Sequence, residues 1–151
     1  MHHTWTDPRG EFEISTDPSR IDVAAVHRFL TASYWAQGVP LEIVRRSIHN
    51  SLCFGIYRDD ELAGFARVIS DRATFAYLAD VFVIEMFRGR GLSKWMMQCI
   101  FAHPELQGLR RWALVTREAH GLYLQFGFHK LKSPERWLEL HRPGVYSPGA
   151  K

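Results

Sequence analysis

One segment, residues 79–93, restricts what this chain can fold into more than any other part of the sequence. The β-forming run Thr74–Ile84 predicts a buried strand, and Leu92 begins a run of helical character. A short turn that contains Arg88-Gly89-Arg90-Gly91 lies between them. The first N–H groups of a helix have no intrahelical partners and carry partial positive charge. This arrangement therefore favours an anion-binding site at the helix start.

The glycines and arginines of this turn suit the same interpretation. Gly89 and Gly91 permit close backbone approach and unusual dihedral angles, while Arg88 and Arg90 bring positive charge within reach of phosphate oxygens. The alternative is a tight turn whose arginines are merely solvated. The segment is neither a P-loop, which needs G-x-x-x-x-G-K-S/T, nor the dinucleotide fingerprint G-x-G-x-x-G.

With the turn in this position, the chain resembles the GNAT superfamily of N-acetyltransferases. The family pattern R/Q-x-x-G-x-G/A falls on Arg88, Gly91 and Ser93, and Ser93 replaces the usual Gly or Ala. The resemblance implies that acetyl-CoA is the acetyl-donor co-substrate. It also implies that the pyrophosphate is bound by the whole turn, which comprises Arg88, Gly89, Arg90, Gly91, Leu92 and Ser93.

A second segment, residues 114–128, again reads strand, helix, glycine and strand. From the residues alone, Tyr123 in its apolar helix is ordinarily a core aromatic. The family pattern A-x-x-x-Y-x-x-x-G-F is matched here by Ala119, Tyr123, Gly127 and Phe128. The resemblance implies that Tyr123 protonates the departing thiolate, a task for a phenol that is neutral at pH 7. Thr116 stands where the family often has an Asn that contacts the cofactor.

The resemblance also implies a splayed central strand whose backbone at Val81, Phe82 and Val83 binds the pantetheine arm. Asp80 is the first candidate for the general base that deprotonates the amine, and Glu85 is the second. Because an unpaired carboxylate is costly in an apolar strand, Asp80 has two interpretations. It is either an acid poised to exchange a proton at a cleft or one half of a structural ion pair.

The resemblance also implies that the acceptor pocket lies beside Ser33–Gly38, which connects the first two predicted helices. Tyr34 and Trp35 can enclose or stack on an acceptor, including a cation over a ring face. The alternative is that they cap the helix pair as partly buried aromatics. His120 is either a proton shuttle near the acceptor or a surface histidine.

The hydrophobic periodicity predicts an α/β (α+β) chain, ordered β-αα-βββ-α-β-α-β, in one domain spanning residues 1–151. Its core covers about residues 11–141, after a loose leader and before a tail from residue 142. The resemblance implies a mixed, mostly antiparallel sheet of about six to seven strands, splayed at its centre and flanked by four helices. The predicted strands are Glu11–Ser15, Leu52–Arg58, Leu62–Ile69, Thr74–Ile84, Arg111–Val115 and Lys130–His141, and the predicted helices are Ile21–Ala32, Leu41–His49, Leu92–Ala102 and Glu118–Phe126.

Composition limits the partners. The net charge of +3 comes from scattered basic residues, which does not predict a nucleic-acid-binding surface. The eight histidines show no metal-binding spacing, so no metal is expected. No apolar run approaches the roughly 20 residues of a membrane span, and a cytoplasmic location is expected. Cys53 and Cys99 lie among apolar residues and predict core packing.

The sequence therefore predicts an N-acetyltransferase that acts on a small-molecule or peptide amine, and the resemblance suggests a homodimer. A non-catalytic acyl-CoA-binding or regulatory domain is the alternative. The identity of the acceptor does not follow from the fold.

Overall fold

Within residues 1–147, six strands form one sheet and lie side by side in the order in which they occur along the chain. A computed structural model describes residues 1–147. Neighbouring strands are antiparallel, except that the last two are parallel. The strands are β1 (Thr4–Thr6), β2 (Glu13–Ser15), β3 (Leu52–Arg58), β4 (Glu61–Ser70), β5 (Phe75–Val83) and β6 (Arg111–Leu114), and the helices are α1 (Val23–Thr31), α2 (Leu41–His49), α3 (Leu92–Ala102) and α4 (His120–Leu124). The predicted mixed sheet with four helices is confirmed.

Two hydrophobic clusters hold the helices on opposite faces of this sheet. On one face, α1 and α2 bury Val26 and Val44 with Phe65 and Phe82 of the sheet. On the other face, α3 and α4 pack against a larger cluster that includes Phe54. The strand residues alternate between the two clusters because successive side chains of a strand point to opposite faces.

Local signals explain where the helices begin and end. The Asp22 carboxylate accepts a hydrogen bond from the Ala25 N–H at 3.0 Å and so caps the start of α1. The helix α2 begins directly after Pro40, whose fixed φ suits the residue before a helix. His103 ends α3, since it adopts an extended conformation and precedes Pro104.

Three predictions of secondary structure were wrong. Residues 1–10 are not a loose leader, since Thr4–Thr6 forms β1 and pairs with β2. Lys130–His141 forms no strand, because Pro134 lacks an N–H and starts a single 3-10 turn. The last helix is only His120–Leu124, shortened by Gly121 inside it and Gly127 after it. Of the predicted tail, residues 148–151 lie outside the described residues.

Cys53 and Cys99 are both buried and free, as predicted. Burial raises the pKa of each thiol to about 12, so both remain protonated and unreactive at neutral pH. No group of three or more His, Cys, Asp or Glu side chains that could hold a metal ion is present in residues 1–147. None of the helices in that range has the length and apolar character of a membrane span.

His103 is a buried polar residue on the α3 face. Its side chain is only 1% exposed, and its Nδ1 accepts a hydrogen bond from the Glu105 N–H at 3.1 Å. The rings of His3 and Phe54 contact it edge-on at 4.7 and 5.7 Å. Burial, with a smaller contribution from His3, lowers the pKa of His103 below its ordinary value. The ring is therefore held in its neutral form.

This lowered pKa predicts an acid-sensitive fold. Below the ordinary pKa of 6.5, the unfolded state takes up a proton that the native ring resists. The contribution of the neutral His103 ring to the unfolding free energy is complete above pH 6.5 and is lost as the pH falls towards the native pKa of His103. We expect His103→Asn, which keeps an acceptor for Glu105, to weaken the decline in unfolding free energy between about pH 7.5 and 5.5. Urea unfolding at several pH values measures the unfolding free energy of wild type and of His103→Asn. Equal declines of this free energy in the two proteins would contradict the prediction.

Candidate functional site

The two parallel strands at the centre of the site separate part of the way along their length. β5 and β6 are paired only from Phe75 opposite Arg111 to Leu78 opposite Leu114. β6 then ends, whereas β5 continues to Val83 and stays paired with β4 on its other side. The backbone of residues 79–83 therefore has a free edge that faces a gap. The predicted splay of the sheet is confirmed.

A bulge in β5 lies where the splay begins. Phe65 pairs with Phe82 and Arg67 pairs with Ala79, so the two residues Asp80 and Val81 oppose the single residue between Phe65 and Arg67. Asp80 has a φ of +54°, a left-handed conformation that is uncommon outside glycine but enriched in Asp. Such a bulge increases the local twist and bends the strand. It therefore helps to turn β5 away from β6.

Asp80 is held by two hydrogen bonds. Its Oδ2 accepts from the Arg67 Nε at 2.8 Å, and its Oδ1 accepts from the Trp35 Nε1 at 2.9 Å. The side chains of Arg67 and Asp80 are only 16% and 11% exposed. Asp80 therefore forms an ion pair with Arg67, and its hydrogen bond to Trp35 fixes the loop that carries Trp35 to β5.

The predicted acceptor residues lie on the same side of the sheet as this ion pair. Tyr34 and Trp35 contact each other edge-on at 5.1 Å and are 52% and 42% exposed. The Arg117 guanidinium lies 3.8 Å from the centre of the Tyr34 ring. Both aromatics are therefore partly exposed, and Trp35 also contacts Phe29 of α1 at 6.2 Å between ring centres.

Tyr123 of α4 is buried, with its ring packed edge-on against Phe128 at 5.8 Å. Burial, and to a smaller extent the nearby Tyr34, raises the pKa of Tyr123 to about 12. Tyr123 therefore keeps its proton at neutral pH.

The turn before α3 has the geometry of an anion-binding helix start. Gly91 occupies the N-cap position with a φ of +74° and provides no side-chain cap, and Gly89 has a φ of +80°. The N–H groups of the first helical turn are therefore not capped by a side chain. A shallow cavity of about 390 Å³ opens here, lined by Val83, Gly91, Leu92, Ser93, Lys94 and Leu122 among others.

The arginines of the turn make specific contacts rather than being merely solvated. The Arg88 Nε donates to the Val83 carbonyl at 3.0 Å, which joins the turn to the end of β5. Arg90 forms an ion pair with Glu11 at 2.8 Å. Glu11 therefore offsets the charge of Arg90, whereas Arg88 and Lys94 line the cavity at the start of α3.

The remaining predicted residues lie in exposed or backbone-supporting positions. Glu85 is exposed and begins a 3-10 turn. The Thr116 hydroxyl accepts from the Ala119 N–H at 3.1 Å, which supports the entry to α4. His120 is exposed, with its Nε2 3.2 Å from the Thr116 carbonyl oxygen. These contacts assign no chemistry to the three side chains.

Sequence analysis missed Arg67, Lys94 and Arg117. A lone basic residue in the apolar strand run 62–69 was the available signal for Arg67, the same kind of signal that marked Asp80. Lys94 follows the glycine turn within one helical turn, where a basic residue facing an anion site is plausible on spacing alone. Nothing in the sequence marks Arg117, since its contact with Tyr34 depends on the folded chain.

Taken together, the splayed sheet and the uncapped glycine turn are features of an acyl-group-transferring α/β domain. Residues 19–128 match the model of the acetyltransferase (GNAT) family. This chain belongs to that family. Its members use acetyl-CoA and act on amines.

Individual relatives agree with this assignment. A crystal structure of a GNAT-family protein from Xanthomonas campestris pv. campestris superposes with a TM-score of 0.88 at 50% identity, covering 90% of this chain and 96% of the other. A protein of Gibberella zeae is 32% identical over 142 residues, covering 79% of this chain and 78% of the relative. Both carry the name "putative acetyltransferase".

A more distant neighbour shares the fold alone. It is a predicted acetyltransferase from Clostridium acetobutylicum whose crystal structure is with acetyl-CoA. The TM-score is 0.62 at 16% identity, and the superposition covers 93% of this chain and 96% of the other.

Proposed function

We propose that this chain transfers the acetyl group of acetyl-CoA to a primary amine, either of a small molecule or of an exposed peptide amino group. The observation that carries the proposal is the position of the uncapped start of α3 at the end of β5, whose free edge faces the gap. An anion-binding helix start and an unpaired strand edge suit a ligand that has phosphates at one end and amides along its length.

Acetyl-CoA, the proposed co-substrate, supplies an acetyl thioester. The residues present fit it, because the cavity at Gly91 joins the N–H groups of α3 to Val83 at the end of β5. We assign the phosphates to the N–H groups of residues 91–94 together with Arg88 and Lys94. We assign the pantetheine amides to the free backbone edge at Val81–Val83, since unpaired N–H and C=O groups there need partners.

Tyr123 is the proposed general acid. A phenol with a pKa near 12 is fully protonated at pH 7 and can donate to a departing thiolate.

Asp80 remains the first candidate for the base, with Glu85 second. Each Asp80 oxygen accepts one hydrogen bond, and a carboxylate oxygen has two lone pairs, so one lone pair remains on each. Trp35 bonds to the same carboxylate and provides a ring face that attracts an ammonium group, while Tyr34 packs edge-on against Trp35. The proposed order is capture of the cationic amine, loss of its proton, and attack on the thioester in a ternary complex.

The donor site is tested by titration calorimetry with acetyl-CoA. Wild type should bind it more tightly than ADP or ATP, because the pantetheine arm adds contacts. Gly91→Ala should weaken acetyl-CoA about tenfold, since a Cβ strains a φ of +74° and shifts the N–H groups. Gly108→Ala is the matched control, because Gly108 has a φ of +72° and is equally open. Equal affinity in wild type and Gly91→Ala would refute the phosphate site.

The acid is tested with Tyr123→Phe, assayed by thiol release with an amine panel. We expect kcat to fall about a hundredfold with little change in acetyl-CoA affinity, since only proton donation is lost. Tyr57→Phe is the matched control, because Tyr57 is also buried and its hydroxyl has no partner among the described residues. Full activity in Tyr123→Phe would move the acid role elsewhere. Tight acetyl-CoA binding without turnover in wild type would instead indicate a binding domain.

The base is tested by comparing two variants that break the same ion pair. Asp80→Asn removes the carboxylate, whereas Arg67→Gln removes only its partner. If Asp80 is the base, Asp80→Asn should abolish the acidic limb in the pH dependence of kcat/KM. Arg67→Gln, which keeps the carboxylate, should retain that acidic limb. An unchanged profile in Asp80→Asn would exclude Asp80 and direct the same experiment to Glu85→Gln.

A further inference from the structure

A cavity of about 280 Å³ lies between α2 and β4, apart from the cavity at the glycine turn. Its walls come from both elements and from the residues that follow α2, and they include Ile43, Arg46, Ser47, Ser51, Arg67 and Ile69. Among residues 1–147, no acidic side chain lines this cavity. We call it the α2–β4 cavity.

Arg67 joins the α2–β4 cavity to Asp80. Its Nε donates to the Asp80 Oδ2 at 2.8 Å, and its Nη1 donates to the Ser51 hydroxyl at 3.2 Å. The Trp35 Nε1 donates to the other Asp80 oxygen at 2.9 Å. The cavity and the proposed general base therefore share one neighbouring side chain. A molecule whose amine lies at Asp80 can extend past Arg67 into the cavity.

Arg46 brings a positive charge to this cavity that no described carboxylate neutralises. It is exposed on α2, and none of the ion pairs within residues 1–147 includes it. Its neighbour Arg45, by contrast, is paired with Glu42 at 2.9 Å. Because the charges of Arg67 and Asp80 offset each other, Arg46 leaves the cavity with an excess of positive charge.

The serine hydroxyls of the cavity already donate their protons to the backbone. The Ser47 hydroxyl donates to the Val44 carbonyl at 2.8 Å, and the Ser51 hydroxyl donates to the Ser47 carbonyl at 2.7 Å. Each hydroxyl has a single proton, so neither serine donates to a ligand while these bonds are kept. The charged donors of the cavity are thus its two guanidinium groups. Each presents N–H groups in a planar fork that fits a carboxylate or a phosphate.

We propose that the acetyl acceptor is an amine that also carries an acid group, a carboxylate or a phosphate, on an aliphatic stem. The amine lies at Asp80, and the acid group pairs with Arg46. Ile43 and Ile69 provide the apolar wall for the stem, and Ile69 is 41% exposed. The class of acceptor depends on the proposed function and deepens it.

The acid group takes no part in the transfer itself. The amine nitrogen forms the amide bond to the acetyl carbon as the carbon–sulfur bond breaks. The nitrogen loses one proton to the base, and the departing thiolate takes up one proton from the acid. The charge on the carboxylate or phosphate is the same before and after, so its contribution is to binding and orientation.

The acceptor class is tested with amines in matched pairs, assayed by thiol release from acetyl-CoA. The probes are unbranched ω-amino acids and ω-aminoalkyl phosphates of increasing length, each matched to the alkylamine with the same number of carbons. In wild type, kcat/KM for the best acid-bearing amine should exceed that of its alkylamine about tenfold or more, because a charge-assisted contact is gained. The carboxylate and phosphate series together identify which acid group is used.

Arg46→Gln should lower kcat/KM for that acid-bearing amine about tenfold, mainly through KM, and should leave the alkylamines unchanged. Arg45→Gln is the matched control, because it removes the same charge at an adjacent position that is paired with Glu42 and does not line the cavity. Arg46→Glu should reverse the preference, so that diamines become better acceptors than ω-amino acids. A merely structural role of Arg46 would change all amines together and produce no reversal.

Binding measured without turnover separates this proposal from the proposed function. Titration calorimetry of the same probes in the presence of coenzyme A should show tighter binding of the acid-bearing amine than of its alkylamine, and Arg46→Gln should remove the difference. If this pattern holds but no amine is acetylated, acetyl transfer is refuted and the acid-group site is supported. Equal binding and turnover of acid-bearing and neutral amines in wild type would overturn the proposal, as would an Arg46→Gln variant that behaves like wild type.

Discussion

The bulge at Asp80 is the constraint on which the site depends. One extra residue in β5, held by the ion pair to Arg67, divides the strand into two functional halves. The first half pairs with β6 and completes the sheet. The second half keeps its pairing with β4 but leaves one edge open. The carboxylate is one of the least exposed charged groups of the site, so its partner is needed to offset the cost of burial.

The open edge and the start of α3 belong to one proposed donor site because Val83 and Leu92 line the same cavity. Leu92 buries its side chain in the core while its N–H group belongs to the uncapped first turn. The same residue thus anchors the helix and contributes to the proposed phosphate site. The hydrogen bond from Arg88 to the Val83 carbonyl holds the turn before α3 against the end of β5. In the proposed site, the pairing of Arg90 with Glu11 leaves directional N–H groups, rather than bulk positive charge, as the main attraction for phosphate.

What could be predicted from the sequence was local. The glycine turn, the helix after it and Tyr123 in a short helix are encoded within a few residues, so pattern and resemblance were sufficient. The partner of Asp80 could not be predicted, because Arg67 is thirteen residues away and only the strand register brings them together. The strand predicted at Lys130–His141 failed for a related reason. Alternation indicates a preference, but a strand also needs hydrogen bonds to a neighbouring strand, and residues 130–141 pair with no strand among the described residues.

The loop between α1 and α2 joins the two sides of the gap. Trp35 bonds to Asp80 on β5, while Tyr34 packs against Arg117 before α4. Both contacts are polar or cation–π and both aromatics remain partly exposed, so the core does not depend on them. The proposed acceptor loop is thus tied to the bulge by one side-chain hydrogen bond, whereas the glycine turn is held by Arg88 and by the buried Leu92. Because the proposed acceptor contacts come from side chains of this loop, the fold suggests the donor while the acceptor must be found by experiment.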